Sequence, residues 1–225
     1  MQRTSIGRSP VLEIGLLKLG HLLCLVYWLG ADLGVFYSSY FVADDKLSSE
    51  TRVTMGKLLF ALDQAPRICM PLIFGFGAHL AARLGYWQLS DGGIVGVWAL
   101  CLGWLSLVLT LHHRGHSERL AVLDYWLRVA VIVGLVGYAV QGLATGSVVT
   151  WLATKLLIFA VLVACGLLIR RFLGPFGPAF AAVAQGTPTA ADNVAIRETF
   201  AKTRPFVVTI WAGLLANTLF GLHLL

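Results

Sequence analysis

Residues 92–111 and 205–225 form two stretches without a single Lys, Arg, Asp or Glu. A helix of about 20 apolar residues spans the hydrocarbon of a bilayer. Only there does so long an uncharged run bury all of its side chains at once. A third stretch, residues 129–154, is equally free of charge but is broken by Gly142–Ser147. Apolar residues make up 58% of the chain, charged residues 12%, and the mean hydropathy is +0.80. Soluble domains carry about twice that charged fraction. The expectation is an all-α, polytopic membrane helix bundle of about six transmembrane helices. They lie near residues 14–38, 58–82, 93–112, 122–143, 149–170 and 205–224, in one transmembrane domain over residues 1–225.

The net charge of +6 follows the same pattern. If the spans alternate, segments 39–57, 113–121 and 171–204 share one side. They carry Lys46, Arg52, Lys57, Arg114, Arg119, Arg171, Arg197, Lys202 and Arg204, with Arg170 at the boundary. The other side has Arg3, Arg8 and Arg83, with Lys18 just inside the first span. Basic excess marks the cytoplasmic side. Both termini are therefore expected outside the cytoplasm, residues 171–204 in a cytoplasmic loop, and the protein in the cell inner membrane. The charge is a topology signal and calls for no nucleic acid. Glu13 and Lys18 interrupt the first apolar run, which continues to Tyr37, so it reads as a retained span and not a signal core. In the 171–204 loop the later part predicts a short surface helix capped by Asp192 or Asn193.

Ionisable residues at membrane depth are costly, and they mark a functional path or a cofactor. In the first span His21, Trp28 and Asp32 fall on one stripe at 100° per residue, with Gly30 and Gly34 on the opposite side. "LDQAPR" places Asp63 and Arg67 four apart, within pairing distance on a helix, with Pro66 between them. "LDYWLR" repeats the pattern with Asp124 and Arg128. His21 and Lys155 lie at similar depth from the outer side, with His79 and His223 further out. Cys24, Cys69, Cys101 and Cys165 sit singly in four spans and read as small apolar fillers. In "HHRGH", His112 and His116 have a metal-sharing spacing, but a basic interfacial loop accounts for them equally. "GFGAHLAARLG" lacks the strand–turn context of a dinucleotide site.

Three segments resemble the HemJ-type protoporphyrinogen oxidases and, at one remove, the CopD-like copper-resistance membrane proteins. "KLGHLLCLVYWLGADLGVFYSSYFV" is similar to the first helix of that superfamily, matching at His21, Trp28, Gly30, Phe36 and Tyr37. "LLFALDQAPRICMPLIFGFGAHLA" resembles its second helix through Pro66, and "WLATKLLIFAVLVACGLLIRRFL" its lysine helix through Lys155. The resemblance implies a b-type haem held with the help of His21 and a functional role for Lys155. Spans three and four stand as an insertion, and Asp32, Asp63 and Arg67 have no counterpart.

Haem in a bundle needs an axial His, apolar walls and cations for its propionates. His21 supplies the ligand, Trp28, Tyr37, Phe74 and Phe76 supply walls, and Lys155 meets a propionate. His79 and Met70 are the two candidates for a second axial ligand. The leading expectation is thus a redox-active heme b protein, a haem-linked oxidoreductase or electron carrier. Its partners would be the lipid bilayer and a quinone, porphyrin or membrane redox protein, with a homo-oligomer compatible with the sequence. Lys155, Asp63, Arg67 and Asp32 are the candidate catalytic or proton-carrying residues. The alternatives are a transporter of copper or a small solute using the intramembrane Asp, Arg and His, and an accessory subunit of a membrane complex.

Overall fold

The computed structural model describes residues 8–113 and 117–224, and every described element of regular structure is helical. The helices are α1 (Arg8–Ala43), α2 (Ser49–Leu62), α3 (Gln64–Arg83), α4 (Asp91–His113), α5 (Glu118–Thr145), α6 (Thr150–Phe172), α7 (Phe176–Ala184) and α8 (Ala190–Gly221). Helices are what a bilayer permits, because each backbone N–H and C=O must find its partner within the segment. Among the described residues, five stretches are long and apolar enough to cross a membrane: Val11–Ala43, Ser49–Arg83, Asp91–His113, Glu118–Thr145 and Thr150–Phe172. A sixth long helix, α8, is polar up to Arg204 and free of charge from Pro205 onward.

The long helices close into a ring. Going round it, α1 packs on α3, α3 on α4, α4 on α5, α5 on α6, α6 on α8, and α8 returns to α1. Sequential neighbours meet because their connections are short. The turn from α5 to α6 is made by Gly146, whose φ of 70° is the left-handed conformation that side chains avoid. One core fills the ring, built on Trp28, Met70, Trp104, Leu135, Leu156 and Phe159 among others.

At the ring's basic end a second core lies outside the first. Val42 of α1, Leu59 of α2, Phe176, Ala179 and Val183 of α7, and Ile196 and Phe200 of α8 pack together. The 36 residues of α1 span roughly 54 Å at 1.5 Å each, well beyond a hydrocarbon core of about 30 Å. That excess length is what reaches this second core. Arg52 is fully buried there, donating from Nε to the Val42 carbonyl (3.0 Å) and from Nη1 to Asn193 Oδ1 (2.9 Å).

Residues 171–204 therefore form an ordered cap instead of a loop carrying one short helix. The N-cap of α8 is Thr189, in a reciprocal capping box with Asp192, and Asn193 is occupied by Arg52. Asp192 or Asn193 was the expected cap. The T-x-x-D spacing places Asp192 inside the first turn instead.

Candidate functional site

Pro66 divides the second apolar stretch. It has no N–H to offer the Leu62 carbonyl, and the helix is interrupted at Asp63, between α2 and α3. Asp63 does not cap α3 with its side chain, which is taken by Arg67 through Nε (2.8 Å). Gln64 Oε1, beside the break, is buried without a hydrogen bond.

The two Asp–Arg pairs sit in one neighbourhood. On α5, Arg128 donates from Nε to Asp124 Oδ2 at 2.9 Å, and Arg170 of α6 pairs with the same oxygen. Arg128 also donates from Nη1 to the sulfur of Met70 on α3 (3.2 Å), and its guanidinium lies 5.2 Å from the Trp104 ring centre. Gly166 of α6 lines the same spot: a Cβ there would make ordinary contact with both Met70 and Arg128. Arg67 and Arg170 are within electrostatic reach of Arg128, and Arg67 and Asp63 within reach of Arg170. Asp32 of α1 is buried close by, flanked by Trp28 and Trp211 and facing Asp63.

Toward the opposite end the ring turns apolar. Phe74 of α3 and Phe159 of α6 stack across it, with centroids 5.6 Å apart and planes 14° from parallel. Trp28 and Trp104 are buried at the same core. Cys24 of α1 and Cys69 of α3, expected as isolated fillers, face one another as free buried thiols.

One turn beyond the stacked rings lies a second polar layer. His21 donates from Nδ1 to the Ile73 carbonyl at 2.9 Å. Its ring lies over Gly77, where a Cβ would stand 2.9 Å from His21 Cε1. A nitrogen that donates to a carbonyl carries the proton, so the neutral ring keeps its lone pair on Nε2. Lys155 is within electrostatic reach of His21 and has no carboxylate within ion-pair distance among the described residues. Its ammonium lies beside Gly221 and 5.9 Å from the Trp151 ring centre, and its carbonyl accepts from Asn217 Nδ2 (3.4 Å).

His79 faces away from this layer. Trp98 Nε1 donates to its Nδ1 (3.2 Å), and its Nε2 lies 3.3 Å from Glu13, which also binds Arg83 (2.8 Å). Tyr37, expected as a wall residue, is exposed on the outside of α1, and Phe76 packs against Trp98 and over Gly20. His112 and His113 end α4, while Arg114 and His116 lie outside the described residues. Among the described residues no three His, Cys, Asp or Glu side chains converge as a metal site.

The structure thus brings His21 near Lys155, Met70 into contact with Arg128, and Arg67 within electrostatic reach of Arg128 and Arg170, with Asp32 facing Asp63, and it sets His79 apart. Sequence reasoning missed Arg170, Trp104 and Trp211 as members of the charged layer. Arg170 looks like any other basic residue at a span end, and only its spacing of four from Gly166 hints that it turns inward. No protein-family model, curated protein or solved structure matches the chain.

Proposed function

We propose that this is a six-span protein of the cell inner membrane, with both termini outside the cytoplasm, that binds a b-type haem through His21. The single observation that carries the haem reading is the 2.9 Å hydrogen bond from His21 Nδ1 to the Ile73 carbonyl. A metal-binding imidazole has its other nitrogen held by a carbonyl or carboxylate, which fixes ring and tautomer. His21 has this arrangement, and Lys155 is a cation with no carboxylate partner among the described residues, suited to a propionate. These residues fit the group. Met70 is held by Arg128 and His79 by Trp98 and Glu13, so His21 is the residue that would hold the group. A b-type haem bound there supplies one-electron redox chemistry. The chain's own part is to fix the His21 ring and to exclude water with Phe74, Phe159 and Trp28. The partner would be a quinone, a porphyrin or another lipophilic redox molecule. The likeness of spans one, two and five to the HemJ and CopD-like superfamily supports the same reading. The clustering of Lys and Arg at one end supports the orientation. The visible spectrum of the purified protein tests the haem, with His21→Ala as the control.

A second reading, a transporter, is favoured by a different observation. Two polar layers are separated by the stacked Phe74 and Phe159, and the helix break at Asp63 adjoins the charged layer. An apolar constriction between charged layers is how a gated pathway is built. Absence of haem with solute uptake by reconstituted protein separates this reading from the first.

A further inference from the structure

Arg128 of α5 and Arg170 of α6 share the Asp124 carboxylate at the basic end of the ring, and Arg67 of α3 lies within electrostatic reach of both. Among the described residues two carboxylates pair with them, Asp63 with Arg67 and Asp124 with both Arg128 and Arg170. Asp32 does not balance the third charge, because it faces Asp63 and two indoles instead of an arginine. The side chain of Arg128 is 2% exposed, yet its Nη2 has no hydrogen-bond acceptor, and Asp124 Oδ1, equally buried, has no donor. Arg67 and Arg170 are 32% and 30% exposed, so the cluster is open on their side and closed behind Arg128. A surplus guanidinium in a low-dielectric setting calls for a counter-anion. Guanidinium forks match the oxygens of phosphate in geometry as well as charge.

We propose that Arg67, Arg170 and Arg128 form a binding site for a phosphate-class oxyanion, entered between Arg67 and Arg170 at the basic end of the ring. The anion is either free inorganic phosphate or the phosphate of a lipid headgroup, since Arg170 lies in the last turn of α6, at the basic end of the ring. The unpartnered Asp124 oxygen favours a protonated oxyanion, whose P–OH donates to it. This site does not rest on haem ligation at His21, and a failed spectrum there leaves it standing.

The test is titration of the full chain in dodecyl maltoside, followed by tryptophan fluorescence and by thermal unfolding. One arm uses inorganic phosphate at constant ionic strength, the other dihexanoyl phosphatidic acid. Saturable binding in the phosphate arm identifies the soluble anion, and binding confined to the other arm identifies the headgroup. In either case Arg170→Gln should weaken binding at least tenfold, and Arg171→Gln, on an exposed neighbour, should leave it unchanged. Arg67→Gln, also partly exposed, serves where Arg170→Gln does not purify. No saturable binding in either arm, or an equal loss in Arg171→Gln, overturns the proposal.

Discussion

Arg128 of α5 donates through Nη1 to the thioether sulfur of Met70 on α3, 3.2 Å away. That contact joins two helices that are not neighbours in the ring, and it places the second Asp–Arg pair beside the first. The other hydrogen bond of Arg128 goes from Nε to Asp124, which Arg170 shares. Asp124 is therefore the hinge of the charged layer: among the described residues it alone pairs with two arginines.

Asp124→Ala should be the most damaging single change in this layer. It strands Arg128 in the core, and breaking a buried pair costs about 3–5 kcal/mol. Arg170→Gln leaves Asp124 with Arg128 and should cost about 1 kcal/mol, as for a partly exposed pair. Unfolding midpoints in detergent check the order. Equal effects of the two changes contradict the shared-carboxylate account.

Gly77 is needed for a close approach. A Cβ at this position would stand 2.9 Å from the His21 ring, so Gly77→Ala must displace the imidazole from the Ile73 carbonyl or push α1 from α3. The expected cost is about 1–3 kcal/mol, together with a changed spectrum if haem is bound. Gly15 and Gly30, which face open space, serve as controls in the same helix as His21. Alanine at either should be neutral by the same assay.

Orientation is tested at Thr187, an exposed residue between α7 and α8. Thr189 is unsuitable because its hydroxyl caps α8. With the four native cysteines replaced, Thr187→Cys should resist an impermeant thiol reagent in intact cells. Labelling from outside would invert the assigned topology.

The capping box gives a pH dependence. Hydrogen bonds from the Thr189 hydroxyl and backbone hold the Asp192 carboxyl below the usual carboxylate range. A depressed folded value contributes stability present above the unfolded pKa of about 3.9 and lost as pH falls through the folded one. Hydrogen exchange in the first turn of α8, corrected for intrinsic rates, should show increasing fraying below about pH 4. Asp192→Asn should remove that dependence.

The helices and their order were legible because charge-free runs and Pro or Gly breaks are local signals. Pro66 marked the interruption at Asp63, and the stripe of His21, Trp28 and Asp32 turns toward the ring, with the last two buried. What the sequence did not disclose depends on which helices meet. Periodicity assigns Asp124 and Arg128 to one face, but only packing adds Arg170 and Met70 to them. The same holds for Cys24 and Cys69, which lie on different helices and share no spacing signal. His79 illustrates the converse. Its depth suited a ligand, yet its direction on α3 delivers it to Trp98 and Glu13.

The most direct measurement is the visible absorption spectrum of the protein purified from haem-replete cells, beside its His21→Ala and His79→Ala variants. The account predicts a haem spectrum in the parent chain, its loss or a large shift in His21→Ala, and no change in His79→Ala, with all three proteins inserted in the membrane. A parent protein without haem absorption, or a His21→Ala variant that keeps the spectrum unaltered, would contradict it.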